Sequence, residues 1–455
     1  MKVISCTMSC LALLTSFVAG AELHVPAGYP TLQEAVDAAS SGDTIHIAPG
    51  VHTGQTRILS KDLTLLGKPG AVLRATQGMT RFGGDISHVP MLGIFRCHVV
   101  ISGLSFEGEQ LAGDYPSPDL GDLMAVYFID AGGSVENCRF MGFREKSPGS
   151  EGAVALRFFN DLDNASLVDV RVVGNTFLDN YDGITLVGAA TNRSINFTIK
   201  DNTISSVGPS PHEFRAAGIS IGAGAAGEVS GNTISGHACT DPTLEFPFSW
   251  GIAAFDLINV PPLTTLEPIL IKENTLRDNQ LHINILLGDQ SIIANNSIEG
   301  TPPGTARPTG ILVSGQNVNI TGNCLEALEN GVILFGDDLP VGDDPGYGTI
   351  LGTAVDAILT DNKFGEDVPP VTIQDLASGT ETGSLYFPFP EPELDIARAV
   401  LLSWPDFYDD YSVESASDPA GTWTLLAAPS FLQDGMLKVA VPVEADKAFF
   451  RLRKP

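Results

Sequence analysis

One short phrase recurs along most of this chain and restricts its fold more than any other feature. It reads Gly174-Asn175-Thr176-Phe177, Asp201-Asn202-Thr203-Ile204, Gly231-Asn232-Thr233-Ile234 and Glu273-Asn274-Thr275-Leu276. It continues as Asn295-Asn296-Ser297-Ile298, Gly322-Asn323-Cys324-Leu325 and Asp361-Asn362-Lys363-Phe364, while Leu104-Ser105-Phe106 and Cys138-Arg139-Phe140 fill the same slot earlier. The slots lie 34, 37, 27, 30, 42, 22, 27 and 39 residues apart, so a minimal turn near 22 residues is lengthened by insertions. Such self-similarity marks a solenoid, in which each repeat buries its apolar face against its neighbours.

The slots follow short alternating strands such as Val318-Asn319-Ile320 and Ile269-Leu270-Ile271, and the apolar residue two after the Asn points the same way as the strand's inward residues. Asn tolerates the left-handed backbone of a tight turn, and in register its amide can bond the Asn of the next coil. The Asn row is therefore read as structural. A second strand often opens with Gly: Gly183-Ile184-Thr185, Gly218-Ile219-Ser220, Gly251-Ile252-Ala253, Gly310-Ile311-Leu312 and Gly331-Val332-Ile333. Alternation predicts an outward row of Tyr127, Ala155, Thr185, Ser220, Ala253, Leu312 and Ile333 on one long exposed parallel sheet.

At 455 residues with 43% hydrophobic content, the chain can bury a large core without metal or disulfide staples. Lys2, an apolar run through Val18 and the small-x-small Ala19-Gly20-Ala21 predict a leader cleaved after Ala21 and a soluble, exported protein. The apolar run is too short to span a bilayer. The formal net charge of −29 argues against nucleic acid and anionic membranes as partners. Cys97, Cys138, Cys239 and Cys324 remain after the leader. Coils ~4.8 Å apart put Cys138 and Cys324 roughly 29 Å apart, beyond the ~7 Å limit for a disulfide, so mostly buried free thiols are expected.

The run Val25-Pro26-Ala27-Gly28-Tyr29-Pro30-Thr31-Leu32-Gln33-Glu34-Ala35-Val36-Asp37-Ala38-Ala39, followed by Gly42-Asp43-Thr44-Ile45-His46-Ile47-Ala48-Pro49-Gly50, resembles the opening of pectate-lyase-like β-helix proteins. The resemblance covers most of residues 22–378. It implies a right-handed parallel β-helix whose first coil is plugged by an amphipathic helix. Leu32, Ala35, Val36 and Ala39 have the spacing for that helix, and Thr31 with Glu34 forms a capping box. Beyond 378 the phrase stops, and residues 379–394 read as a linker. Residues 395–455 alternate in short strands and resemble small fibronectin-like C-terminal modules, on the strength of Leu402-Ser403-Trp404-Pro405 and Phe449-Phe450-Arg451-Leu452. Trp404 and Trp423 are read as core of that all-β module, with a sugar-stacking platform as the alternative.

The longest insertions follow the slots at Cys138, Asn202, Asn232 and Asn296, and all enter the Gly-led sheet from one side. A stack from Tyr127 through Arg157 and Asp182 to His212, Glu213 and Arg215 is the candidate site. Arg157, Asp182, His212, Glu213 and Arg215 supply acids, bases and a carboxylate-binding guanidinium, with Tyr127, Tyr181 and Trp250 as sugar-binding aromatics. Ordinary solvated loop charges are the competing reading. The family's reactions ask for more. The outward row lacks the carboxylates of a calcium-dependent lyase; Gly236-His237-Ala238 and Asp337-Asp338 stand in the wrong order for a polygalacturonase; and Gly152 replaces the glutamine of a pectin methylesterase before Ala153-Val154-Ala155-Leu156-Arg157. Oxygen-rich turns at Asp130, Asp161, Asp163, Asp256, Asp289, Asp337 and Asp338, with Asp343 and Asp344 nearby, suit Ca2+ or serve as solvated turns. No other metal is expected, and scattered histidines without a Met-rich site argue against copper delivery. The resulting expectation is an exported, monomeric polysaccharide-binding or polysaccharide-cleaving β-helix, with a non-catalytic adhesive solenoid as the alternative.

Overall fold

A computed structural model describes residues 20–386 apart from 83–87, 116–121, 147–152, 161–165, 190–192, 212, 242–248, 256–265, 301–303, 306–307, 337–352, 367, 370 and 375–376. It also describes 399–405, 412–416, 421–425, 430–433, 436–442 and 449–453. The expected leader lies outside the described residues.

The chain coils into a right-handed parallel β-helix. The coils are built from three parallel sheets, of 13, 12 and 11 strands among the described residues, and each inner coil contributes a strand to every one. In one such coil Val168–Val173 belongs to the first sheet, Thr176–Leu178 to the second and Asp182–Gly188 to the third. Repeats of equal phrase are held in exact register, with Thr176, Thr203, Thr233, Thr275, Ser297 and Cys324 paired in succession. The core is a set of ladders. Phe106, Phe140 and Phe177 stack with centroids 4.9 and 4.7 Å apart, and Phe128 stacks on Phe158 at 4.5 Å.

The asparagines form the expected row. Nδ2 of Asn175, Asn202, Asn232, Asn274, Asn296 and Asn323 each donates to Oδ1 of the next at 2.9–3.0 Å, ending on Asn362. The reason for Asn differs from the expectation. The left-handed residue is the one before it, whether Gly174, Asp201, Gly231, Glu273, Asn295, Gly322 or Asp361. The ladder position is selected for an amide that both donates and accepts, while the corner beside it accepts even Glu273 at φ 57°.

Helix Leu32–Ala38 closes the first coils, packing on strands Glu22–Val25, Thr44–Ile47 and Thr56–Leu59. Thr31 Oγ1 accepts the Glu34 N–H at 3.2 Å, and Leu32, Ala35 and Val36 are buried. At the other end the ladder runs past 378: Gly379–Thr382 pairs with Ala357–Thr360, and Leu385–Tyr386 with Lys363–Phe364. The four cysteines among the described residues are free, with Cys138 and Cys239 buried and Cys97 and Cys324 half-buried.

Residues 388–455 form a second compact unit. Its described strands make two antiparallel sheets, one of Ala399–Pro405, Met436–Pro442 and Ser430–Gln433, the other of Thr424–Leu425, Ser412–Ala416 and Phe449–Arg453. In the second of these, Glu414 receives Arg451 at 2.6 Å and Arg453 at 2.7 Å, and the Arg451 guanidinium lies 4.3 Å over the half-buried Trp423 ring. Both arginines hold the Glu414 carboxyl below its ordinary range.

Candidate functional site

The third sheet differs from the exposed surface that alternation predicts. Its outward residues Tyr127, Thr185, Ser220 and Ala253 are 0–7% exposed. Alternation sets direction only, and here the chain's own segments lie over the face: Phe82 rests on Gly93, and His88 stands edge-on to Tyr127 with centroids 5.4 Å apart. The row itself also changes. Leu123 pairs with Ala153 and Tyr127 with Arg157, so Arg157 takes the place expected for Ala155. Thr185 and Ser220 follow on the next coils.

Around Arg157 the coils bring together a partly accessible charged cluster. Its Nη1 lies 3.3 Å from His88 Nε2, and its guanidinium carbon 5.8 Å from the ring centroids of both Tyr127 and Phe159. A guanidinium only donates, so His88 accepts at Nε2 and carries its proton on Nδ1, which faces Asp122 Oδ2 at 3.5 Å. Arg157 Nε is buried without a hydrogen-bond partner among the described residues. Burial pushes the Tyr127 phenol above its ordinary range, with Arg157 pulling it down.

Asp182 opens its strand in the register line Met124, Val154, Asp182, Ala217, Trp250. Its Oδ1 accepts the Ala217 N–H at 2.9 Å. The residue is half-buried, and the surrounding protein pushes its carboxyl up to about 7. Burial is the main cause; Asp122 and Glu213 raise it further, while the Ala217 N–H and Arg157 oppose. A carboxyl that exchanges its proton near neutrality beside a fixed guanidinium is equipped for acid–base chemistry on an anionic ligand.

The remaining expected residues build a wall. Glu213 is fully buried and receives Arg144 at 2.5 Å and the Ser206 hydroxyl at 2.7 Å, and Arg144 also reaches Asp179 at 3.3 Å. Burial raises the Glu213 carboxyl against the pull of Arg144. The Tyr181 hydroxyl donates to the Phe214 carbonyl and the Ser249 hydroxyl to the Glu213 carbonyl, pinning the segment. Arg215, at φ 65°, lays its guanidinium 4.7 Å over the Phe214 ring. Trp250 is 7% exposed and packs on Phe255 at 5.6 Å, within an outer apolar cluster that includes Ala217, Ala253 and Leu281. It offers no open face for stacking a sugar. His212 lies outside the described residues.

Sequence reasoning missed His88 and Asp122. Both directly precede third-sheet strands, Val89–Phe95 and Leu123–Ile129, just as Asp182 opens its own. That shared position was the available signal. Of the candidate calcium turns, Asp130 faces Arg96 at 3.7 Å and Asp289 caps the Gln316 N–H at 2.7 Å; Asp161, Asp163, Asp256, Asp337, Asp338, Asp343 and Asp344 lie outside the described residues. Among the described residues no group of three or more His, Cys, Asp or Glu side chains is placed to share a metal ion, and no helix is long and apolar enough to cross a membrane.

No family model and no curated protein matches the chain. Among solved structures it is similar to an alginate lyase from a Paenibacillus species, at 14% identity and TM-score 0.42 over 78% of this chain and 92% of the other. It is similar to the periplasmic alginate epimerase AlgG, at 13% identity and TM-score 0.43 over 80% and 82%. The Dettilon tailspike protein aligns at 12% identity and TM-score 0.42 over 86% and 72%.

Proposed function

We propose that this is an exported carbohydrate-active β-helix protein that takes an acidic polysaccharide at the rim of the third sheet and cleaves it beside Arg157 and Asp182. The observation that carries the reading is the Asp182 carboxyl, pushed up to about 7 on the same face as the Arg157 guanidinium. Arg157 anchors a sugar carboxylate and Asp182 moves the proton, with the His88–Asp122 pair fixing the guanidinium. Two routes are open and differ in product: hydrolysis, in which protonated Asp182 gives its proton to the glycosidic oxygen and water adds to the anomeric carbon, and elimination, in which ionised Asp182 takes the C5 proton and returns it to the glycosidic oxygen as the C4–O bond breaks, with Arg157 neutralising the sugar carboxylate.

Purified protein incubated with uronate-containing and neutral glycans, reading both unsaturated-product absorbance and reducing ends, distinguishes them. Cleavage of a uronate polymer is expected, reduced about 100-fold or more in Asp182→Asn and in Arg157→Ala. Substrates left intact throughout, or full activity in both variants, would overturn the reading. The burial of Tyr127, Thr185, Ser220 and Ala253 favours the rival, a non-catalytic adhesive solenoid. It expects Arg157→Ala and Asp182→Ala to leave every measured binding unchanged.

A further inference from the structure

The first sheet carries a groove of about 430 Å³ on its outer face, a volume in the range of small-ligand sites. It arises where the coil row His98, Gly132, Asp169, Asn196 loses a side chain. A Cβ on Gly132 would meet the Asp169 carbonyl oxygen at 2.7 Å, and one on Gly133, at φ 143°, would collide with the Val99 carbonyl. Close backbone approach therefore keeps both positions free of side chains.

Its polar walls are already organised. Asn196 Nδ2 donates to Asp169 Oδ1 at 3.0 Å, and Arg171 Nε to Glu136 Oε1 at 3.1 Å. The Asp169 and Arg171 side chains remain exposed on the groove wall, where their free acceptor and donor atoms can meet ligand hydroxyls. Ser134 and Thr198 hydroxyls flank Arg171 in one register line. Two carboxylates against one guanidinium, in a chain of formal charge −29, repel a polyanion. Alternating fixed donors and acceptors of near-cancelling charge suit a neutral, hydroxyl-rich ligand.

We infer that this groove is a second carbohydrate site, taking a neutral glycosyl unit through Asp169, Asn196 and Arg171. It lies on a different sheet from the Arg157 cluster, in overlapping coils, and it stands independently of the cleavage reading. The test is calorimetric titration of the whole protein with neutral β-1,4-linked gluco-, manno- and xylo-hexasaccharides, with a hexauronate and with calcium chloride alone. At least one neutral hexasaccharide should bind saturably, on the order of millimolar. Thr198→Trp, which fills the groove from an outward position, should weaken it at least tenfold, as should Asp169→Ala. Arg157→Ala with Asp182→Asn should leave it within twofold. Should Thr198→Trp fail to fold, Ser134→Tyr fills the groove from the other side of Arg171. The inference is overturned if no neutral oligosaccharide binds, if only the hexauronate or calcium binds, or if folded groove variants bind as the parent does. Loss of cleavage with retained neutral-sugar binding, or the converse, separates this site from the cleft.

Discussion

A single carboxyl sets a conflict between stability and chemistry at Asp182. Raised from 3.8 to about 7, it keeps its proton in the native state across a window where the unfolded chain has already lost it. Native protein then binds more protons, so stability falls as pH rises from about 4 to 7, by up to about 4 kcal/mol. Asp182→Asn retains an oxygen for the Ala217 N–H and has no charge to bury. We therefore expect its unfolding midpoint to fall less than the parent's between pH 5 and 8, and to exceed it at pH 8, in thermal melts at each pH. A parent curve as flat as the variant's would reject the raised carboxyl. Arg144 and Glu213 show the opposite case, a charge pair whose value depends on both members. Arg144→Ala strands the buried Glu213 carboxylate and should cost about 3–5 kcal/mol, whereas Arg144→Met with Glu213→Leu should cost far less. Denaturant midpoints of the single and double variants decide this.

At the scale of strands and turns, the ladder makes one side chain responsible for several partners. Asn232 donates to the Ile199 and Ser230 carbonyls and to Asn274 Oδ1, and accepts from both the Asn202 N–H and its amide. Each buried group left unpaired costs about 1–3 kcal/mol, so Asn232→Ala should destabilise the solenoid by about 3 kcal/mol or more. Asn196→Ala, on the outer face, should cost below about 1 kcal/mol, with urea titrations of both variants as the measurement. Comparable losses at the two sites would deny the ladder its structural role. The coil register was legible in the sequence because the Asn phrase places every inward residue two positions on, a constraint repeated in each coil. The shift from Ala155 to Arg157 was not, since that strand has no leading Gly in phase with its neighbours, and the pairing of Arg157 with Tyr127 on one side and Thr185 on the other fixes it. His88 was hidden for a related reason. It reaches Arg157 from 69 residues away, and its place just before a third-sheet strand has no Asn or Gly phrase to mark it.

Over the whole molecule, the charge of −29 makes ionic strength a discriminator of ligand class. A uronate polymer must approach through a repelling field before Arg157 can engage its carboxylate, and that field reaches ~30 Å at 0.01 M salt but only ~8 Å at 0.15 M. Screening should therefore speed association, the reverse of the dependence shown by basic proteins that bind polyanions. Once bound, the contact at Arg157 is short and shielded, so dissociation should change little. We expect the association rate for an oligouronate, measured by stopped flow, to rise severalfold between 0.01 and 0.15 M salt, while neutral oligosaccharides at the first-sheet groove show no trend. An oligouronate rate that falls with salt would mean that a local basic surface, not the net field, governs approach. The acidic-ligand assignment for the Arg157 cluster would then have to be carried by groups other than those described around it.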